Sequence, residues 1–360
     1  SNKPVSAFLR NTQNFTKYKS MDEVPLPYDR AFYSDDITTG RSNVTINAEV
    51  EHKLSENWTS RTSYLFNQSG DKNSVFIVPV VLNDEQIRRS YVNFDSFTLT
   101  YSTLQQNFNG SYLLGKLKNQ IVIGGELSYN TSKSLAQEPW NTTYDVIDIN
   151  AEYWKPMTLA QVDKTRAEQS IGSALDITKF STISGYFSNV TNISDRLFVM
   201  LSARLNSYSE KPSTSYNPGT AADPTESYSE TEGYDQVNVS PKFGLVYQPI
   251  KDQVSIYTNY SNSFTNLPSA LGYENMQDFN AGKNPEIIEF KPEQANQFEA
   301  GVKLELLNKR VNATVSYYDI TVSNRQRDLG GYAYIQDGKF NSKGIEVDFI
   351  ANPAKGWNII

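Results

Sequence analysis

Asn43-Val44-Thr45-Ile46-Asn47-Ala48-Glu49-Val50-Glu51-His52-Lys53-Leu54 decides how this chain folds. Val44, Ile46, Ala48, Val50 and Leu54 occupy even positions, whereas Asn43, Thr45, Asn47, Glu49, Glu51 and Lys53 fill the odd ones. A period of two is a β-strand with one apolar face. At about 10 to 14 residues, such a run is long for a soluble strand but right for one crossing a bilayer at a tilt. Ser55-Glu56-Asn57 follows as a tight turn, and Trp58, Tyr64 and Phe66 then share one face of the next run.

The pattern recurs outward from there. Leu197, Val199, Leu201, Ala203 and Leu205 alternate with Ser202, Arg204 and Asn206. Val237, Val239, Phe243, Leu245 and Tyr247 oppose Asn238, Ser240, Lys242 and Gln248, and Phe298, Ala300, Val302, Leu304 and Leu306 oppose Gln297, Glu299, Lys303 and Glu305. Ile345, Val347, Phe349 and Ala351 oppose Glu346 and Asp348. About twelve strands are predicted, at 43–54, 57–69, 94–114, 119–131, 177–192, 196–208, 236–249, 253–264, 293–307, 310–325, 334–352 and from Trp357. Parity slips between Tyr101 and Leu104, which predicts a bulge there. In 177–192 both parities carry apolar residues.

Connectors alternate between very short and long. The short ones are Ser55–Asn57, Gly115–Lys118, Ser194-Asp195, Lys251-Asp252, Asn308–Arg310 and Pro353–Gly356. Between them lie polar stretches of roughly 8 to 45 residues. Strands joined this way place all tight turns at one end, which is the layout of an antiparallel transmembrane β-barrel with periplasmic turns and extracellular loops. Trp58, Tyr247 and Trp357 beside the short turns form one predicted aromatic belt. Tyr64, Phe66, Tyr129, Tyr208, Tyr260 and Tyr317 form the other. A large soluble β-protein is the rival, but its strands would be half as long and its turns alike at both ends.

Composition narrows the function classes. The chain has 360 residues, no cysteine and one histidine, His52, so disulfide scaffolds and multi-histidine metal sites are excluded. A net charge of −7 and the absence of a basic run argue against nucleic acid as a partner. Mean hydropathy is −0.53 and no long apolar run exists, which a barrel tolerates because only alternate positions are apolar. His52 lies on the apolar parity one turn from the periplasmic end, where a lone histidine is read as a belt residue. A hydrolase needs a His–Ser constellation, so no catalytic residues are assigned and the chain is not read as an enzyme.

Five segments carry a family resemblance: Ser240-Pro241-Lys242-Phe243-Gly244-Leu245-Val246-Tyr247-Gln248-Pro249, Val254–Phe264, Phe290–Lys303, Val315–Thr321 and Ser342–Asp348. In this order they resemble the barrel of TonB-dependent outer-membrane receptors, most closely the ferric-siderophore branch. The likeness is strong from about residue 178 onward and compatible over 43–131. It implies an all-β barrel of about 22 strands, a plug inside it and TonB driving import of a ferric siderophore across a bacterial outer membrane. Residues 1–42 are expected to be a loop or early barrel segment, and 43–360 an interior part of the barrel. The plug domain, TonB-contact segment and C-terminal strands are expected to lie outside this chain. Gly301 and Gly344 are expected to let lumen contents approach the wall closely.

Ligand contacts are expected on the loops. Trp140, Tyr144, Tyr153 and Trp154 in the longest loop, 132–176, and Tyr273 and Phe279 in 264–292 offer aromatic faces to the organic shell of a chelate. Arg325 and Arg327, and the pair Arg88-Arg89, could attract an anionic chelate or outer-leaflet phosphates. For each ring the plain alternative is packing of the loop on itself. Iron would travel as a chelate, so no protein cofactor or metal ligand is expected. Outer-membrane lipid and lipopolysaccharide are further expected partners. Cobalamin, haem or a glycan as cargo, a passive porin and a surface adhesin remain open as alternatives.

Overall fold

The computed structural model describes residues 2–4, 9–26, 31–138, 142–169, 172–219, 225–330, 333–352, 354 and 356–359. Eleven long strands form one antiparallel meander. They are bounded by two short helices and several small strands, all in one sheet. In chain order the strands are β1 (Asn2–Pro4), β2 (Thr38–Ser55), β3 (Trp58–Val81), β4 (Gln86–Leu114), β5 (Leu117–Glu138), β6 (Thr142–Asp148), β7 (Gly172–Asn192), β8 (Leu197–Glu210), β9 (Ser213–Asn217), β10 (Ser227–Thr231), β11 (Tyr234–Ile250), β12 (Val254–Thr265), β13 (Ala270–Tyr273), β14 (Glu286–Ile288), β15 (Glu293–Leu306), β16 (Val311–Asp328) and β17 (Tyr334–Ala351). Helices α1 (Leu159–Gln169) and α2 (Met276–Asn280) lie in two of the long connections.

The main ladder runs β2-β3-β4-β5-β7-β8-β11-β12-β15-β16-β17, each pair antiparallel. β1 adds to β2 only at Thr38–Gly40. Among the described residues no pairing joins β17 to β2, so the sheet is open. After β17 a single antiparallel bridge links Ala351 to Ile359, in place of the strand predicted from Trp357. No described helix is long and apolar enough to cross a membrane.

Register places the two faces. Leu104, Leu127 and Ile183 sit side by side on β4, β5 and β7, and Phe108, Ile123 and Phe187 form the row below. Val302, Val315 and Val347 do the same on β15, β16 and β17. All nine side chains are exposed, between 38% and 67%. Contiguous exposed apolar surface on this scale must be covered, and a lipid bilayer covers a barrel's outer face. On the opposite face Glu126, Ser184, Asn206 and Asn238 follow one another across β5, β7, β8 and β11. Charge and amide are tolerated there because that side lines the lumen.

Several expectations change at this level. The bulge predicted near Tyr101 is absent, since β3 and β4 stay in register from Trp58 to Lys72. Tyr101 points to the lumen side and Leu104 to the lipid side; the irregularity in β4 lies between Phe94 and Ser96. Gly301 and Gly344 do not open the wall. Tyr257 stands directly across from Gly301 and Tyr318 across from Gly344, and a Cβ at either glycine would lie 2.8 Å from the tyrosine hydroxyl. Gly124 carries Tyr186 and Gly110 carries Trp58 in the same way. In each pair the aromatic ring occupies the space that a side chain on the facing strand would need.

β3 and β4 also run far past the membrane. Their hairpin closes at residues 82–85, and the stretch from Gly70 to its tip rises about 40 Å at the usual strand spacing. The loop predicted over residues 70–93 is therefore a rigid ribbon, because it carries a core of its own.

Candidate functional site

At the end opposite the tight turns, three connections pack together. Residues 9–26 and 31–37 rise along the β3–β4 ribbon. Arg10 bridges Val80, the Asn14 side chain donates to Val81 O at 2.9 Å, and the Asp84 carboxylate accepts from Thr16 N, Thr16 Oγ1 and Lys17 N at 2.6–2.8 Å. Those donors hold the Asp84 carboxyl below the ordinary carboxylate range, the Lys17 backbone N–H contributing most. On the ribbon's other edge β6 pairs with β4. α1 is held at its start by the Asp36 carboxylate, which accepts from Leu159 N at 3.0 Å and satisfies one of the helix's free donors.

Two apolar clusters fill the space between these pieces. Ile37, Val75, Ile77, Tyr91, Met157 and Val162 form one. Phe15, Val24, Val81, Ile87, Ile147, Ile149 and Trp154 form the other. Arg89 lies between them, 1% exposed. Its Nε donates to Asp145 Oδ1 at 2.7 Å and its Nη2 to Asp145 Oδ2. Its Nη1 donates to Phe32 O at 3.0 Å and to Lys155 O at 2.7 Å, and the guanidinium lies 5.3 Å from the Tyr144 ring centroid. One planar cation thus ties β4, β6, the N-terminal segment and the approach to α1. The fork geometry of arginine allows this where a lysine would leave acceptors unpaired. Arg89 is a structural node, not a surface lure for anions, which corrects the expectation for Arg88-Arg89 at the second residue.

The predicted ligand residues fall into two groups. Trp140 lies outside the described residues. Tyr144 is half-buried under Arg89, with its hydroxyl donating to Gln161 Oε1 at 2.6 Å; burial pushes its pKa up. Trp154 is 6% exposed and stacks on Phe32 with centroids 6.2 Å apart, so its faces are engaged by core residues. Tyr153, its neighbour, is 67% exposed. In the second group Tyr273 and Phe279 pack edge to face at 5.4 Å, and Tyr273 donates to Lys283 O. Tyr273 and Arg327 meet around Ile335, the register partner of both, while Arg327 forms a two-point ion pair with Asp337. Arg325 stays exposed beside the irregular register that follows Val322.

Sequence reasoning missed a lumen-side aromatic row. Phe180, Tyr208 and Tyr234 pack as tilted rings with centroids 5.4 and 5.3 Å apart. Tyr208 is buried on the lumen parity and donates to Glu210, so it is not part of the lipid belt predicted for it. Its even number, against the odd apolar positions of β8, was the available signal. Beside Tyr234 a cleft of about 600 Å³ is lined by Gln236, Glu289, Phe290 and Lys291. Deeper in the lumen Arg204 pairs with Glu126 at 3.0 Å and lies over Tyr186, whose hydroxyl donates to Asn107.

Residues 3–360 match the family of TonB dependent receptor-like β-barrels. The metal-pseudopaline receptor CntO of Pseudomonas aeruginosa is 23% identical over 90% of this chain and 42% of its own length. The ferrichrome receptor FcuA of Yersinia enterocolitica is 22% identical over 86% of this chain and 38% of its own. Among solved structures, the closed form of the ferric-catecholate import receptor Fiu of E. coli K12 superposes with a TM-score of 0.71 at 17% identity, covering 91% of this chain and 47% of that one. That likeness is one of fold, and the chain spans less than half the length of each of these relatives. With the matching sequence and an apolar face turned outward, the chain belongs to the TonB-dependent receptor β-barrel family of the Gram-negative outer membrane.

Proposed function

We propose that the protein containing this chain imports a ferric siderophore across the outer membrane, energised through TonB by contact with a plug domain. The observation that carries this reading is the lumen mouth: the Phe180–Tyr208–Tyr234 row beside a cleft with both carboxylate and ammonium groups, Glu289 and Lys291. Flat apolar faces with a few polar handles suit the organic shell of a chelate, and the iron then needs no protein ligand or resident cofactor. Tyr153 is the exposed aromatic in the loops that we assign to first contact, with Tyr273, Phe279 and Arg325 as a second loop surface. Arg327 contributes there only as far as its pairing with Asp337 allows. Outer-leaflet lipid and lipopolysaccharide contact the outward face.

A second reading has its own support. CntO, whose name records a metal–pseudopaline complex, aligns over 90% of this chain, so a chelate of another metal belongs in the test. The experiment is a fluorescence titration of the full-length, detergent-solubilised receptor with ferric hydroxamates, ferric catecholates, nickel and zinc chelates, cobalamin and oligosaccharides. Saturable quenching by one ferric class, weakened at least tenfold by Tyr234→Ala, supports the proposal. A response confined to another metal chelate, cobalamin or sugar overturns the siderophore assignment.

A further inference from the structure

Inside a barrel wall every strand has a partner on both edges, and one stretch beside the lumen mouth breaks that rule. The ladder between β11 and β12 ends at Lys242 and Ser261. Both strands run on: β11 stays paired with β8 up to Tyr234, and β12 stays paired with β15 up to Thr265. Pro241 stands where the ladder stops. Gln248 N donates to Arg196 O on the β8 side, and Glu305 N donates to Gln253 O between β15 and β12. By alternation, the odd positions of β11 aim their backbone groups at β12. Pro241 is one of them and has no N–H to give, so it holds an edge position. Above it the N–H and C=O groups of Asp235, Val237 and Val239 face the same gap, and among the described residues no strand pairs with them.

Side chains span the gap on its lumen side. The Gln236 amide donates to Leu267 O and Phe290 O at 2.9 Å and accepts from Leu267 N at 3.2 Å. The Asn238 amide donates to Asn266 Oδ1 at 3.1 Å. The returning chain is thus held beside β11 without zipping to it. Two buried atoms flank the gap with no partner among the described residues, Ser240 Oγ and Asn262 Oδ1, on residues 8% and 6% exposed. Buried polar atoms are normally paired, so both mark a place where a polar group belongs. The cleft of about 600 Å³ opens on this edge, with Tyr234–Val237 on one side and Glu289–Pro292 on the other. Glu289 and Lys291 are exposed, and among the described residues neither is in an ion pair.

We propose that the β11 edge from Asp235 to Pro241 is a strand-addition site for an extended peptide backbone. At strand spacing the edge is about 20 Å long, with room for about six residues. A cleft of this size suits a small ligand and not a folded protein. Main-chain donors and acceptors meet their complements along the edge, and Ser240 and Asn262 add polar groups at its lower end. Glu289 and Lys291 offer one charge to each terminus of a peptide. The backbone belongs either to a free oligopeptide or to the peptide arm of a metal chelate. The inference concerns the edge and not the iron, so it is separate from the siderophore assignment.

The test is isothermal titration of the full-length receptor in detergent. The probes are a metal-free hexapeptide of alternating valine and serine, its N-methylated analogue, and ferric trihydroxamates built with and without a peptide arm. The hexapeptide is expected to bind, and N-methylation, which removes the pairing N–H groups, should weaken it at least tenfold. V237P removes one edge-facing N–H without touching the β8 ladder and should also cost at least tenfold, whereas V237A keeps the N–H and should lose far less. Isotope-labelled peptide, once bound, should show the amide I band of a strand. Heat-modifiable gel mobility checks that each barrel is intact, and the N-methylated ligand decides alone if V237P does not fold. Binding by the peptide-armed chelate only, lost on N-methylation of its arm, assigns the edge to the cargo. Binding of the hexapeptide with no response to any ferric chelate keeps the inference and removes the siderophore reading. Equal binding of the N-methylated ligand, equal binding by V237P, or no binding of any peptide-bearing probe would each overturn the inference.

Discussion

The wall of the sheet and the unit standing on its extracellular end are made from the same strands, with opposite apolar orientation. Below Gly70, β3 and β4 turn Tyr64, Leu104 and Phe108 outward and keep Arg61, Gln105 and Asn107 toward the lumen. Above it, Val75 and Ile77 on one parity and Val78 and Val80 on the other are all buried. The wall is finished by lipid, which is not part of the chain. The exterior unit is finished by residues 9–26 and 31–37, β6 and α1, brought from both sides along the sequence. Stability therefore has different sources in the two regions: solvation by the bilayer in one, and close packing around the buried Arg89 in the other.

Arg89→Ala should separate them most clearly. It leaves Asp145 and two carbonyls without their donor inside a packed unit, a cost of about 3–5 kcal/mol. Hydrogen exchange should accelerate in 9–26, 31–37 and 142–169 while the wall strands keep their protection. Equal acceleration in both would make them one cooperative body.

On the wall, Ile123→Arg should cost about 2–4 kcal/mol because it places charge against lipid, whereas Ser128→Arg on the lumen parity of the same strand should cost little. Urea titration of folding into vesicles measures both. Similar values would undo the assignment of faces. A smaller effect, about 1–3 kcal/mol, is expected for Gly344→Ala, whose new Cβ would press on the Tyr318 ring. Tyr318→Ala in the same chain should recover part of the loss in thermal unfolding, and no recovery would mean that the close approach of ring and glycine is not the cause.

The mildest probe is acid. Because Asp84 has a lower pKa when latched than when free, its contribution is present above the free carboxylate value, about 4, and fades as pH falls through the latched value. Exchange in residues 9–26 should rise below about pH 4 in the wild type. Asp84→Asn should be faster at neutral pH and insensitive to this step.

How much could be read beforehand differs by region for the same reason. Alternation at 43–54, 196–208 or 293–307 reports the two faces directly, because a membrane strand meets lipid on one side and lumen on the other along its whole length. Strand boundaries there shift by only a few residues. Residues 70–94 look irregular because both faces are covered, and a ribbon buried on both sides loses its period. Trp154 and Tyr153 are adjacent in sequence, yet one is core and the other exposed, a choice made by Phe32 more than a hundred positions away. Tyr208 was legible by parity alone, whereas its packing against Phe180 and Tyr234 needed the register of three strands.

By itself the sequence determined the barrel wall, its lipid and lumen faces and its family, since those follow from a period of two and from motifs along single strands. Tertiary structure alone decided that Arg89 is a buried clasp, that Gly301 and Gly344 are filled by Tyr257 and Tyr318, and that Phe180, Tyr208 and Tyr234 on three strands form one row. Each depends on which residues face one another across strands, and that is set by register and long-range packing, not by any local pattern.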